Sequence, residues 1–153
     1  MKKIVFLSLM CCAGLCLAQK QTENSGTMKK IINTKNAPAP IGPYSQAVIA
    51  NNTLYASGQI AIDPATGTIV KGDIKAETKQ VMENIKAILN EAGIGFDNII
   101  KCSIFLSDMN NFASVNEVYG SYFSKDFPAR ETVQVSRLPK DVNVEISVTA
   151  VMK

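Results

Sequence analysis

The 153-residue chain contains no histidine and no tryptophan. Without imidazole, His-based triads, imidazole proton relays and most catalytic zinc sites are excluded. Cysteine is scarce. Three of the four, Cys11, Cys12 and Cys16, fall at the N-terminus. Only Cys102 lies beyond them, so no intrachain disulfide can staple the rest. The formal net charge is +3. Loss of Lys2 and Lys3 with an N-terminal segment lowers it to about +1. No basic tract is present to neutralise a phosphate backbone, so a nucleic-acid partner is not expected. The chemistry that remains belongs to Arg, Glu, Tyr, Ser, Thr and backbone amides, a kit for holding a carboxylate and placing a water.

The N-terminus reads as a targeting segment. Lys2 and Lys3 form a basic start, and Ile4 to Ala18 is a mostly apolar run too short to span a membrane comfortably. Cys16-Leu17-Ala18 is a small-x-small cleavage site before Gln19. Leu15 stands where a lipid-anchor motif would place a small residue before Cys16. The expected organisation is a signal peptide at 1–18, a polar linker at 19–27 and a folded domain at 28–153. The product would be periplasmic or secreted, without membrane association after cleavage, an uncleaved anchor being the alternative. About 125 residues suit one hydrophobic core.

The element order reads βββαβαββ, an α+β mixed sheet with two helices on one face. Strands are expected at Lys30 to Asn33, Ser45 to Ala50 and Thr53 to Gln59, with Asn51-Asn52 as a tight turn because Asn tolerates positive φ. Asp73 caps a helix whose stripe of Ile74, Val81, Met82, Ile85, Ile88, Leu89 and Ala92 repeats at helical spacing before Gly93. Ile99 to Leu106 reads as a buried strand. A second helix from about Asn111 to Phe123 carries Phe112, Val115, Tyr119, Tyr122 and Phe123, read as core. Thr132 to Ser136 and Val142 to Val151 complete the sheet. Alternation sends Val144, Ile146, Val148 and Ala150 toward the helices, and Glu145, Ser147 and Thr149 away. Pairing of the last two strands through Leu138-Pro139-Lys140-Asp141 is expected to bring Arg130 or Thr132 near Glu145, with Val133 and Val135 in the core.

Arg130 is the strongest candidate site residue, since a guanidinium fork matches a carboxylate in two parallel hydrogen bonds. Singly, each candidate has an ordinary explanation: Glu145 as a solvated strand charge, Tyr44 as a loop aromatic, Ser57 as a small residue before Gly58, Asn116 as a helix-surface amide, Cys102 as an inert core thiol.

Their joint order is less ordinary. Asn36-Ala37-Pro38, Ile41-Gly42-Pro43-Tyr44-Ser45-Gln46, Ser57-Gly58-Gln59, Asn84 to Leu89, Asp108 to Tyr119, Phe127-Pro128-Ala129-Arg130, Arg137 to Asp141 and Val144-Glu145-Ile146 follow in sequence. The chain resembles the Rid/YjgF family of imine deaminases over essentially all of Met28 to Lys153. The resemblance implies a chorismate-mutase-like homotrimer with sites in clefts between subunits. It also implies hydrolysis of 2-imino acids such as 2-iminobutanoate and 2-iminopropanoate to 2-oxo acids and ammonia, without cofactor or metal. Carried across, Arg130 clamps the substrate carboxylate with backbone help near Thr132, and Glu145 holds the attacking water and assists proton transfer. Tyr44 and Ser57 orient the imine, while Asn116 and Gly58 contribute to binding. Two positions depart from the family pattern. Glu131 follows the arginine where a small residue is usual, and Thr132 stands where many members have cysteine. Two other readings compete: a non-catalytic exported trimer that binds small carboxylates, and a ribonuclease. The second is disfavoured by the missing histidine and basic stripe.

Overall fold

A computed structural model describes residues 29–70 and 72–152. The expected signal peptide at 1–18 and linker at 19–27 lie outside the described residues. The elements are β1 (Lys30–Ile32), β2 (Ala47–Ala50), β3 (Thr53–Gln59), α1 (Ile74–Glu91), β4 (Ile99–Leu106), α2 (Phe112–Gly120), β5 (Ala129–Gln134) and β6 (Val144–Val151). They form one six-stranded sheet in the order β1-β2-β3-β6-β4-β5, and both helices pack on one of its faces.

Local chemistry explains most of this. Asn51 and Asn52 hold φ of 48° and 60° and close the β2–β3 hairpin. The Asp73 carboxylate accepts the Ala76 amide at 2.9 Å and caps α1. Gly93, at φ +77°, ends it. Val81, Met82, Ile85, Ile88 and Leu89 are fully buried against Cys102, Ile104 and Leu106 of β4 and Val144, Ile146 and Ala150 of β6. Each such side chain contributes about 1.5–3 kcal/mol on leaving water.

Two buried polar side chains tie α1 to the end of β3 and the start of β6. Asn84 donates to the Ile60 and Ile62 carbonyls, each at 3.0 Å. Glu77 accepts the backbone amide and the side-chain amide of Asn143 at 3.0 and 2.6 Å. The first fixes the chain leaving β3; the second fixes the start of β6.

The last two strands differ from the sequence reading. β5 begins at Ala129, and it pairs with β4 in parallel; it does not pair with β6. β4 lies between them, antiparallel to β6. The strands' own patterns account for this. β4 and β6 bury every second side chain and occupy the centre. β5, Ala-Arg-Glu-Thr-Val-Gln, is too polar for that place and forms the edge. The expected faces also change. Register places Arg130, Thr132 and Gln134 opposite Cys102, Ile104 and Leu106, hence on the helix side. Val133 is exposed on the other face. Val135 packs in a satellite cluster with Ile60, Ile62, Leu138 and Val142, outside the main core.

Candidate functional site

The predicted residues fall into two groups on opposite sides of the sheet. The first surrounds a cavity of about 400 Å³ lined by residues that include Pro38, Ile41, Tyr44, Ser57, Gly58 and Glu145. β3 and β6 change register between Ala56 and Gln59, which leaves Gly58 opposite no regular partner. The Glu145 carboxylate occupies the space this creates. A Cβ on residue 58 would stand 1.9 Å from Glu145 Oε1, so contact with the carboxylate in this position, not backbone angle, favours glycine. Burial raises the Glu145 pKa above the ordinary glutamate value, and no neighbouring charge opposes that shift. Among the described residues, the cavity lining contains no lysine or arginine.

The hydroxyls here have fixed polarity. Ser57 Oγ donates to the Ser45 carbonyl at 2.7 Å and so turns only lone pairs toward a ligand. The Tyr44 hydroxyl accepts the Ile41 amide at 3.2 Å and keeps its own proton to donate. Toward the cavity Ser57 can therefore only accept a hydrogen bond, while Tyr44 can donate one.

Gln46, a lining residue passed over as a motif letter, sets the opposite wall. Its side chain is buried. Its Oε1 accepts the Thr34 amide at 2.7 Å, while Nε2 reaches the carbonyls of Thr34, Ala37 and Pro38 at 3.0, 3.2 and 2.8 Å. Both N–H groups of the amide and its oxygen are engaged in holding the proline-rich loop. A glutamine two residues after the loop aromatic was the available signal.

The second group lies on the helix face at the sheet edge. Arg130 NH1 donates to Asn116 Oδ1 at 2.7 Å. The guanidinium stands 4.9 Å from the Tyr119 ring centroid and 5.7 Å from that of Phe112. A cavity of about 400 Å³ opens beside it, lined by Asn116, Tyr119, Gly120, Phe127, Pro128 and Arg130. Thr132 follows on the same side, its hydroxyl buried without a partner.

Glu131 points away, as alternation predicts. It accepts from Ser103 Oγ and pairs with Lys101 Nζ at 3.2 Å, contacts that hold its pKa below the ordinary range, the serine hydrogen bond first. The Arg130 fork is therefore not taken by its neighbour. Cys102 is buried, and its thiol pKa is raised chiefly by that burial, as expected of an unreactive core residue.

Within one chain Arg130 and Glu145 do not converge, contrary to the sequence expectation. Glu145 stands opposite Phe105 of β4 and Arg130 opposite Cys102, positions of opposite parity. The sheet separates them.

One α+β layer thus carries an acidic, largely apolar cavity on one side and a cradled arginine on the other. The chain belongs to the Rid/YjgF family: residues 34–152 match the family model described as Endoribonuclease L-PSP. It is 60% identical over 123 residues to a RutC family protein of Pyrococcus horikoshii, covering 80% of this chain and 98% of that one. A 2-iminobutanoate/2-iminopropanoate deaminase of Bos taurus is 50% identical over 127 residues, covering 83% and 93% of the two chains. Among solved structures, the Rid family protein YyfA of Yersinia pestis superposes with a TM-score of 0.80 at 52% identity, covering 82% of this chain and all of that one. E. coli TdcF with bound serine gives a TM-score of 0.78 at 44% identity, covering 81% and 99%.

Proposed function

We propose that this protein hydrolyses reactive 2-imino acids, 2-iminobutanoate and 2-iminopropanoate among them, to 2-oxo acids and ammonia. The site is completed when the Glu145 half of one copy meets the Arg130 half of another in a homotrimer. The observation that carries the reading is the unpaired Glu145 carboxylate seated over Gly58 beside Ser57 and Tyr44. A desolvated carboxylate with no cation of its own is suited to a water and a basic nitrogen. The deaminase named among the relatives supports the reaction class, and the serine held by TdcF supports a small amino-acid-like ligand.

The chemistry follows from the two halves. Arg130 holds the substrate carboxylate with the donors that Asn116 leaves free. Ser57 accepts the imine N–H. Glu145 positions a water against the electrophilic C2 carbon and takes one of its protons as the C–O bond forms. That proton passes to the nitrogen to give the carbinolamine; Glu145 then carries the new hydroxyl proton to the amine, and the C–N bond breaks as the carbonyl forms, releasing ammonia. Each step is a proton transfer or an addition to a polarised double bond, so orientation supplies much of the acceleration. Thr132 adds its backbone to the carboxylate end, and the lack of a thiol there removes cysteine redox chemistry from the cleft. The N-terminal segment would direct this activity to the periplasm or the medium.

The test is a coupled assay in which a PLP-dependent dehydratase releases the imine and ammonia-dependent decay is followed with protein lacking residues 1–18. The reading expects acceleration by the wild type and none by Arg130→Ala. A wild-type rate equal to the spontaneous one, with 2-oxobutanoate still bound in calorimetry, would leave a binding module instead.

A further inference from the structure

We infer that Tyr119 is a positioning residue, its ring face forming the platform that aims the Arg130 fork at a substrate carboxylate. The inference rests on the reading of Arg130 as a clamp. Residues 112, 116 and 119 fall at i, i+4 and i+7 on α2, one helical stripe. In sequence its two aromatics read as core and Asn116 as a surface amide. In the fold its members surround one guanidinium: Phe112 at 5.7 Å, Tyr119 at 4.9 Å and Asn116 Oδ1 at 2.7 Å from NH1.

The three contacts divide the work. Asn116 occupies NH1 and fixes rotation of the fork in its plane. The aromatic face fixes the tilt of that plane, because a cation is drawn to the ring's negative face. The remaining donors are left toward the cavity beside Phe127 and Pro128. Register makes the arrangement rigid, since Arg130 lies opposite Cys102 on β4 and Tyr119 is buried over that strand. Tyr119's hydroxyl takes no part. It is buried against the Cys102 thiol, close enough for the two to shift each other's pKa though outside good hydrogen-bond geometry, and it meets no other partner. The ring, not the phenol, is what this place uses.

Two measurements test the assignment. The chain has two arginines, Arg130 and Arg137, so an Nε–Hε NMR spectrum of the folded protein holds a cradled resonance and an exposed reference paired with Asp141. The Arg130 signal should be ring-shifted relative to Arg137, and Tyr119→Leu should remove most of the shift, leaving the smaller part that Phe112 supplies. In the coupled assay Tyr119→Leu should raise KM about tenfold with kcat changed less than about twofold, and weaken 2-oxobutanoate binding to match. Tyr119→Phe, which keeps the face, should rescue both. An unshifted Arg130 signal in the wild type overturns the inference without any variant. Equal damage from Phe and Leu would overturn it too, because the hydroxyl would then be the working group. If the wild type shows no deaminase activity, the proposed reaction fails, while the NMR and 2-oxobutanoate arms still decide the cradle.

Discussion

Adding one methyl group at residue 58 should separate folding from catalysis. In Gly58→Ala the new Cβ meets Glu145 Oε1 at 1.9 Å and Cδ at 2.7 Å. Ordinary carbon–oxygen contact begins near 3.4 Å, so the carboxylate must retreat by about 1.5 Å. The obstruction is the far end of a flexible, partly buried side chain, which can rotate away. The folding penalty is then that of an unfavourable rotamer, about 0.5–1.5 kcal/mol. Catalysis depends on the placement of that carboxylate, and a misplacement near 1 Å costs roughly 10²-fold. Gly58→Ala should therefore melt within a few degrees of wild type and lose about 10²-fold in kcat/KM for 2-iminobutanoate in the coupled dehydratase assay. A folded variant retaining activity within about threefold would refute the placement of Glu145 as the reacting group.

Other consequences follow from the same geometry. Arg130→Ala removes two charge-assisted hydrogen bonds to the substrate carboxylate and should cost about 3–5 kcal/mol in kcat/KM; Arg130→Lys, lacking the fork, should recover little of it. Because burial raises the Glu145 pKa, the folded protein holds that proton more tightly than the unfolded chain. The group's stability contribution is therefore full below its unfolded pKa and lost as pH rises through the folded one. Glu145→Gln should raise Tm at pH 8 but not at pH 4 while abolishing activity. The acid limb of the wild-type rate profile should lie above the ordinary glutamate value. Gln46→Leu strands the Thr34 amide and the Ala37 and Pro38 carbonyls. It should destabilise by about 2–4 kcal/mol in denaturant titration.

How much of this could be read from the chain depends on whether the information is local. The α1 stripe, the Asp73 cap, the Asn51-Asn52 turn and the alternation of β6 are local, and each appears where the pattern places it. Glu131 turning away from Arg130 is local alternation as well. The place of β5 is not local. A short segment before β6 looks like a hairpin turn, but the central position is decided by which strand buries more apolar surface, and β4 takes it. Alternation within one strand also cannot fix its phase against another. Arg130 and Glu145 could be assigned to one face only if their strands paired, and they do not. Tyr119 and Phe112 were legible as a stripe but not as a cradle, because what a helical face meets depends on the edge strand beneath it. Pro38, Ile41 and Pro139 line the Glu145 cavity from irregular segments that carry no periodic signal.

The separation of the two half-sites by the sheet gives the account its most direct test, subunit complementation. Arg130→Ala and Glu145→Gln should each be inactive alone. Refolded together in equal amounts, random assembly in a cyclic oligomer pairs an intact arginine half with an intact glutamate half at about one site in four. The account predicts recovery of roughly a quarter of wild-type deaminase activity from two dead variants. Mixed oligomers with no activity would contradict it, because the two groups would then have to serve one site within a single chain.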